Sequence, residues 1–81
     1  MQADEQYPNI PSSKKETCEY VRVDLLLAIV PITVEVSGFE RRHRTLPASV
    51  TRIERVRKAL EAGDVKSALR DAEVFKMRPL N

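Results

Sequence analysis

A basic block between residues 41 and 58 is the part of this 81-residue sequence whose residue types could bind a charged partner. Formal charges sum to −2 over residues 1–20, −2 over 21–40, +6 over 41–58 and 0 over 59–81, so the net charge of +2 conceals a strongly positive segment. Such a segment attracts phosphate groups or acidic protein surfaces. Its basic residues are Arg41, Arg42, Arg44, Arg52, Arg55, Arg57 and Lys58, against the single acid Glu54.

Six of these residues are candidate nucleic-acid contacts. The candidates are Arg41, Arg42 and Arg44 in a loop, followed by Arg52, Arg55 and Lys58 on one outward face of a helix. A basic loop that leads into such a helix can contact phosphates while the helix approaches a groove. No aromatic residue lies within the block, which argues against stacking of single-stranded bases there.

We therefore expect a small non-enzymatic regulatory protein that binds nucleic acid, duplex DNA in the first place. The alternative is a protein-binding modulator or an assembly subunit that docks on an acidic protein surface. The apolar surface of residues 20–36 is a second route to such a protein partner.

Residues that could perform catalysis or bind a metal are few. His43 is the only histidine and lies among arginines, and we expect it to be a polar surface residue rather than a general acid. Cys18 and His43 together cannot supply a four-ligand zinc site. The acidic residues are dispersed, and Gly38 and Gly63 both have explanations as turn residues. We expect no enzymatic activity, no cofactor and no metal.

The composition indicates one small soluble domain. Hydrophobic residues make up 42% of the chain and charged residues 32%. Residues 1–15 are rich in proline and polar side chains, which predicts a flexible tail before a globular domain at 16–78. A core of this size leaves a thin margin over chain entropy, so we expect a homodimer.

Nothing in the sequence indicates a membrane or a secretory route. Asp4 and Glu5 lie where a signal peptide would need apolar residues, and the uncharged run at 25–34 is about half of what a membrane span requires. A single cysteine forms no intrachain disulfide. We expect a cytoplasmic protein that does not contact a membrane.

The segment 14–29 has two possible conformations. A Ser-x-x-Glu capping box at its start and Pro31 after its end favour a helix, and this conformation would bury Cys18. The alternative is a strand, because residues 20–25 alternate between apolar and polar side chains and are rich in branched residues. Both remain open, with the helix preferred.

The rest of the chain is predicted to form a short strand and a helical hairpin. Residues 32–36 alternate as a strand does, and 39–48 form a basic loop. Ser49 is expected to cap a helix that runs to about Ala62. Apolar residues recur at helical spacing in the two helices, at Val50, Ile53, Val56 and Leu60 and then at Val65, Ala68, Leu69, Ala72 and Phe75.

Glycine and aspartate mark the junction of this hairpin. Gly63 should end the first helix in a left-handed conformation, and Asp64 should cap a second helix that stops before Pro79. The predicted fold is a small α+β domain with a first helix or strand, one short strand and a C-terminal helical hairpin at 49–76, its core completed by dimerisation.

Overall fold

The computed structural model describes residues 12–38, 42–78 and 80. They form a small mixed domain, with a four-stranded antiparallel sheet and two helices on one side of it. The α+β class predicted from the sequence is confirmed. In chain order the elements are β1 (Ser12–Val23), β2 (Leu26–Ser37), β3 (Arg42–Thr45), α1 (Pro47–Glu61), α2 (Val65–Ala68) and β4 (Glu73–Lys76).

A long β-hairpin replaces the helix that was preferred for 14–29. β1 and β2 pair antiparallel from Val23 opposite Leu26 to Ser12 opposite Ser37. The two-residue turn between them has Asp24 at a φ of 54°, a positive value that hairpin turns require. The preference for a helix was wrong because twelve consecutive cross-strand pairs satisfy more backbone groups than a local capping box could.

β2 is the central strand, and two short strands share its other side. β3 pairs with residues 34–37 of β2, and β4 pairs with residues 26–29. The strand predicted at 32–36 is confirmed but extends in both directions. The basic loop predicted at 39–48 is wrong for Arg42–Thr45, which form β3, whereas residues 39–41 lie outside the described part of the chain.

Alternation along β2 gives the sheet two distinct faces. The helix face carries Ala28, Val30, Ile32 and Val34, all buried against α1 and α2 together with Val21, Val56, Leu60 and Ala68. The open face carries the intervening residues of β2, from Leu27 to Glu35. Because directly opposed residues of paired strands share a face, β1 places Cys18, Tyr20 and Arg22 on the open face.

Cys18 is exposed on this open face, so the expectation that its side chain is buried was wrong. The expectation depended on a helical spacing with Val21. In a strand, Cys18 and Val21 differ by an odd number of residues and therefore point to opposite faces.

The start of α1 differs from the prediction, whereas its end agrees. α1 begins at Pro47 after Leu46, with no side-chain cap, and its final residue Glu61 lies one residue before the predicted end. Ser49 is inside the helix and buried, so the prediction that it caps the helix was wrong. Its hydroxyl instead accepts a hydrogen bond from the backbone N–H of Thr33 at 2.9 Å.

The junction after α1 was predicted correctly, but the second helix is short. Gly63 has a φ of 75°, and the Asp64 carboxylate accepts from the Ser67 N–H at 3.1 Å and from its hydroxyl at 2.7 Å. α2 ends at Ala68, and β4 occupies the region where the hairpin's second helix was expected. β4 forms because residues 26–29 would otherwise leave backbone groups unpaired.

The predicted flexible tail at 1–15 is only partly within the described residues. Ser12 to Lys15 form the first part of β1, and residues 1–11 lie outside. Among the described residues, no helix is long and apolar enough to cross a membrane.

Candidate nucleic-acid interface

Arg52 lies at a gap in the sheet. β3 and β4 leave β2 without a neighbouring strand at residues 30–33. The start of α1 satisfies the backbone there: the Leu46 N–H donates to the Thr33 carbonyl at 3.2 Å, and Arg52 Nη1 donates to the Pro31 carbonyl at 2.9 Å. Pro31 is tolerated in this central strand because its backbone nitrogen, which carries no hydrogen, points into the gap, where no neighbouring strand needs a donor. Arg52 therefore fastens α1 to the sheet.

Arg55 is also engaged within the protein. Its Nε and Nη2 donate to the two carboxylate oxygens of Asp71 at 2.8 and 3.0 Å, and Arg52 Nε lies 3.9 Å from the same carboxylate. The hydrogen bonds from Arg55 lower the pKa of Asp71, the nearby positive charges lower it further, and partial burial opposes them. One aspartate therefore offsets part of the positive charge predicted for this helix face.

Lys58 is exposed, but the surface of α1 around it is not uniformly basic. Glu54 and Glu61 are exposed on the same helix. Because Arg52 and Arg55 both lie against Asp71, the remaining charges of α1 are two cations, Arg57 and Lys58, and two acids, Glu54 and Glu61. Of the three predicted helix contacts, only Lys58 has a charge that no described residue pairs with.

Arg42 and Arg44 belong to the open face rather than to the helix side. They lie opposite Ser37 and Glu35, which are open-face residues of β2. Arg44 Nη2 is 3.2 Å from Glu35 Oε1, yet its side chain stays 70% exposed. Lys14 of β1 lies opposite Glu35 from the other side, so the β3 end of the open face carries three cations around one acid.

The five predicted residues that the structure describes therefore do not form one surface. Arg52 and Arg55 converge on Asp71, Lys58 lies on the exposed side of α1, and Arg42 and Arg44 lie on the opposite side of the sheet. Arg41 lies outside the described residues.

The aromatic residues of the open face were not predicted from the sequence. Tyr20, opposite Ile29, is 68% exposed, and Phe75, opposite Leu27, is 47% exposed. They lie on the two strands that flank β2, whose axes are about 10 Å apart at the usual strand spacing. Arg22 shares the cross-strand row of Phe75. The alternation of residues 20–25 was the signal that could have placed Tyr20 here.

A groove of about 450 Å³ continues the open face along the segment between α2 and β4. Cys18, Ile29 and Pro31 of the sheet line it together with Leu69. Arg70 is also part of the lining. Arg52, Asp71 and Glu73 line it as well, so the groove combines apolar side chains with charges of both signs.

The described residues offer little for metal binding. No group of three or more His, Cys, Asp or Glu side chains is arranged to hold a metal ion within them. His43 is exposed in β3 on the helix-face side, opposite Val36, whereas Cys18 is on the open face. The two potential nucleophiles are thus on opposite faces of the sheet.

Comparison of the chain with protein-family models, with curated proteins and with solved structures gave no match. The function is therefore inferred from the geometry of the described residues.

Proposed function

We propose that this protein is a non-enzymatic regulator that binds nucleic acid on the open face of its sheet, as a single strand. The observation that carries the proposal is the exposure of Tyr20 and Phe75 on the sheet face opposite to the helices. Exposed aromatic rings on a sheet are surfaces on which unpaired bases stack, whatever their sequence.

Cations are distributed along this face where a backbone would pass. Arg22 lies beside the aromatic residues, and Lys14, Arg42 and Arg44 lie at the other end. All four are exposed, although Arg22 donates to the Asp24 carbonyl and Arg44 to Glu35. From Leu27 to Ser37, β2 spans about 33 Å at the usual rise per residue. A strand whose bases stack on Tyr20 and Phe75 could therefore extend its phosphates toward the β3 arginines.

The geometry favours a single strand over the duplex expected from the sequence. Groove binding through α1 needs its arginines to be available, but Arg52 donates to Pro31 and Arg55 pairs with Asp71. Glu54 and Glu61 would repel the DNA phosphates on either side of the DNA groove that α1 entered. The open face also carries acids, Glu16, Glu35 and Glu73, but its four cations Lys14, Arg22, Arg42 and Arg44 outnumber them.

Fluorescence anisotropy with a labelled single-stranded oligonucleotide and its duplex tests the proposal, at about 50 mM salt. The single strand should bind more tightly than the duplex. Tyr20→Ala and Phe75→Ala should each weaken single-strand binding roughly 5- to 150-fold, as stacking losses of about 1–3 kcal/mol imply. Both side chains are exposed, so circular dichroism should show folded variants.

Val50→Ala is the matched control, because Val50 is 45% exposed on α1 rather than on the open face. It should leave binding unchanged. Preferred duplex binding that is lost in Lys58→Ala would instead support the helix surface. No binding to either nucleic acid, together with binding to polyglutamate, would replace the proposal by the acidic-partner alternative.

A further inference from the structure

β1 is a long edge strand whose outer side is unpaired within the described residues. It has twelve residues and pairs only with β2. The opposite edge of the sheet consists of β3 and β4, with four residues each. Short strands protect an edge, whereas a long, regular strand is a template for pairing with another chain. β1 pairs with β2 without a bulge and contains no proline.

The backbone groups that β1 offers to a partner can be identified. The N–H and C=O of Thr33 bond to Ser49 and Leu46, which lie away from β1. Thr33 and its opposite residue Glu16 therefore form a non-hydrogen-bonded pair, and the backbone groups of Glu16 also point outward. By alternation, the outward groups belong to the even-numbered residues of β1.

We propose that β1 pairs antiparallel with β1 of a second copy, with the two-fold axis at Thr17. In this register Lys15 lies opposite Glu19 of the second copy, and symmetry produces the same ion pair twice. Thr17 faces its own equivalent, a favourable cross-strand combination. Ser13 faces Val21, so a small side chain lies beside a bulky one. The pairing covers residues 12–22 of both copies.

The charge pattern disfavours the other symmetric registers. The register centred on Cys18 is equally long but places Lys14 opposite Arg22, which is repulsive. Registers centred on Glu16 or Glu19 place identical acids opposite each other, and the one centred on Lys15 opposes two lysines. Only the Thr17 register has the longest overlap, places opposite charges across from each other and opposes no two like charges.

The resulting dimer would have a continuous eight-stranded sheet. The two-fold axis is perpendicular to the sheet, so both α1 helices lie on one side and the two open faces join on the other. Lys15 and Glu19 are exposed in the single chain. Their substitution therefore leaves the core of each copy intact.

Charge reversal tests the pairing by size-exclusion chromatography with light scattering. The wild type should be a dimer, whereas Lys15→Glu and Glu19→Lys should each weaken dimerisation roughly tenfold or more, since two attractions become repulsions. The double variant should dimerise again. A mixture of the two single variants should form a heterodimer, because every opposed pair is then complementary.

A cysteine test fixes the register. In a Cys18→Ser background, Thr17→Cys should form an intermolecular disulfide on mild oxidation, because opposed residues of a non-hydrogen-bonded pair lie about 4.5 Å apart between Cα atoms. Lys15→Cys in the same background should not, because its equivalent lies several residues away. A monomeric wild type, unaffected charge variants or equal cross-linking at both positions would overturn the proposal. Nucleic-acid binding by a monomer would leave the proposed function standing.

Discussion

Two groups of arginines, one on α1 and one on β3, belong to the same basic block but have different surroundings. Arg52 donates to the Pro31 carbonyl in the gap between β3 and β4, and Arg55 pairs with Asp71. Both therefore connect α1 to other parts of the chain. Arg42 and Arg44 lie on a short outer strand with exposed side chains. Nearness in sequence thus does not give these residues a shared role, because the fold decides which groups each cation contacts: Arg44 pairs with Glu35 on the open face, whereas Arg52 and Arg55 contact Pro31 and Asp71.

The largest effect is expected from Arg52. Arg52→Ala removes a hydrogen bond from a charged donor to the exposed Pro31 carbonyl, which should lower the free energy of unfolding by about 1.5–2 kcal/mol. Urea denaturation measures this. Arg52→Lys should recover part of the loss. An ammonium group can donate to the Pro31 carbonyl, but it lacks the several N–H donors by which the planar guanidinium serves more than one partner. An unchanged stability would show that Arg52 does not fasten α1.

Ser49 should have the next largest effect. Ser49→Ala leaves the Thr33 N–H without its acceptor in a part-buried position and should cost about 1–2 kcal/mol in unfolding free energy. Thr51→Ala is the control, because Thr51 is exposed on the same helix and its substitution should change stability by less than about 0.5 kcal/mol. Equal effects of the two substitutions would argue against closure of the gap by α1.

Asp71 gives the arginine pair a pH dependence. Its pKa is lowered below the usual 3.8 when the protein is folded. Its contribution to folding stability is therefore complete at pH values above the pKa of the unfolded state. The contribution is lost as the pH falls through the lowered, folded-state pKa. Asp71→Asn should therefore be less stable than the wild type at neutral pH, and the difference should shrink below about pH 4. A difference that stays constant to pH 2 would contradict the ion pair.

The smallest effect on stability is expected for the β3 arginines. Arg42→Ala and Arg44→Ala should each change the unfolding free energy by less than about 1 kcal/mol, because both side chains are exposed and exposed pairs such as Arg44–Glu35 contribute little. Each should nevertheless reduce the salt dependence of single-strand affinity by about one unit of slope if it contacts a phosphate. Anisotropy titrations over a salt series compare these slopes with that of Arg52→Ala.

Local patterns in the sequence predicted those elements whose stability is mainly local. The alternation at 32–36 indicated part of β2, and Gly63 with Asp64 marked the end of α1 and the start of α2. By contrast, β4 forms because residues 26–29 of β2 need a neighbour, and that requirement is not visible in residues 73–76 themselves. The apolar residues of this segment recur at helical spacing, so the sequence predicted a helix where the strand β4 forms.

The site was harder to predict because its composition depends on long-range pairing. Arg52 bonds to a carbonyl 21 residues away, and Arg55 to a carboxylate 16 residues away. Tyr20 and Phe75 share a face only through their registers with β2. The charge count located the cations but could not show which of them the fold would use.

Amide chemical-shift mapping tests the central claim most directly, by titration of the ¹⁵N-labelled protein with a short single-stranded oligonucleotide. The largest changes should fall on Tyr20, Arg22 and Phe75, with smaller ones on Arg42 and Arg44. The exposed side of α1, represented by Glu54 and Lys58, should change little. Changes concentrated on α1, or none on the open face at saturating oligonucleotide, would contradict the account.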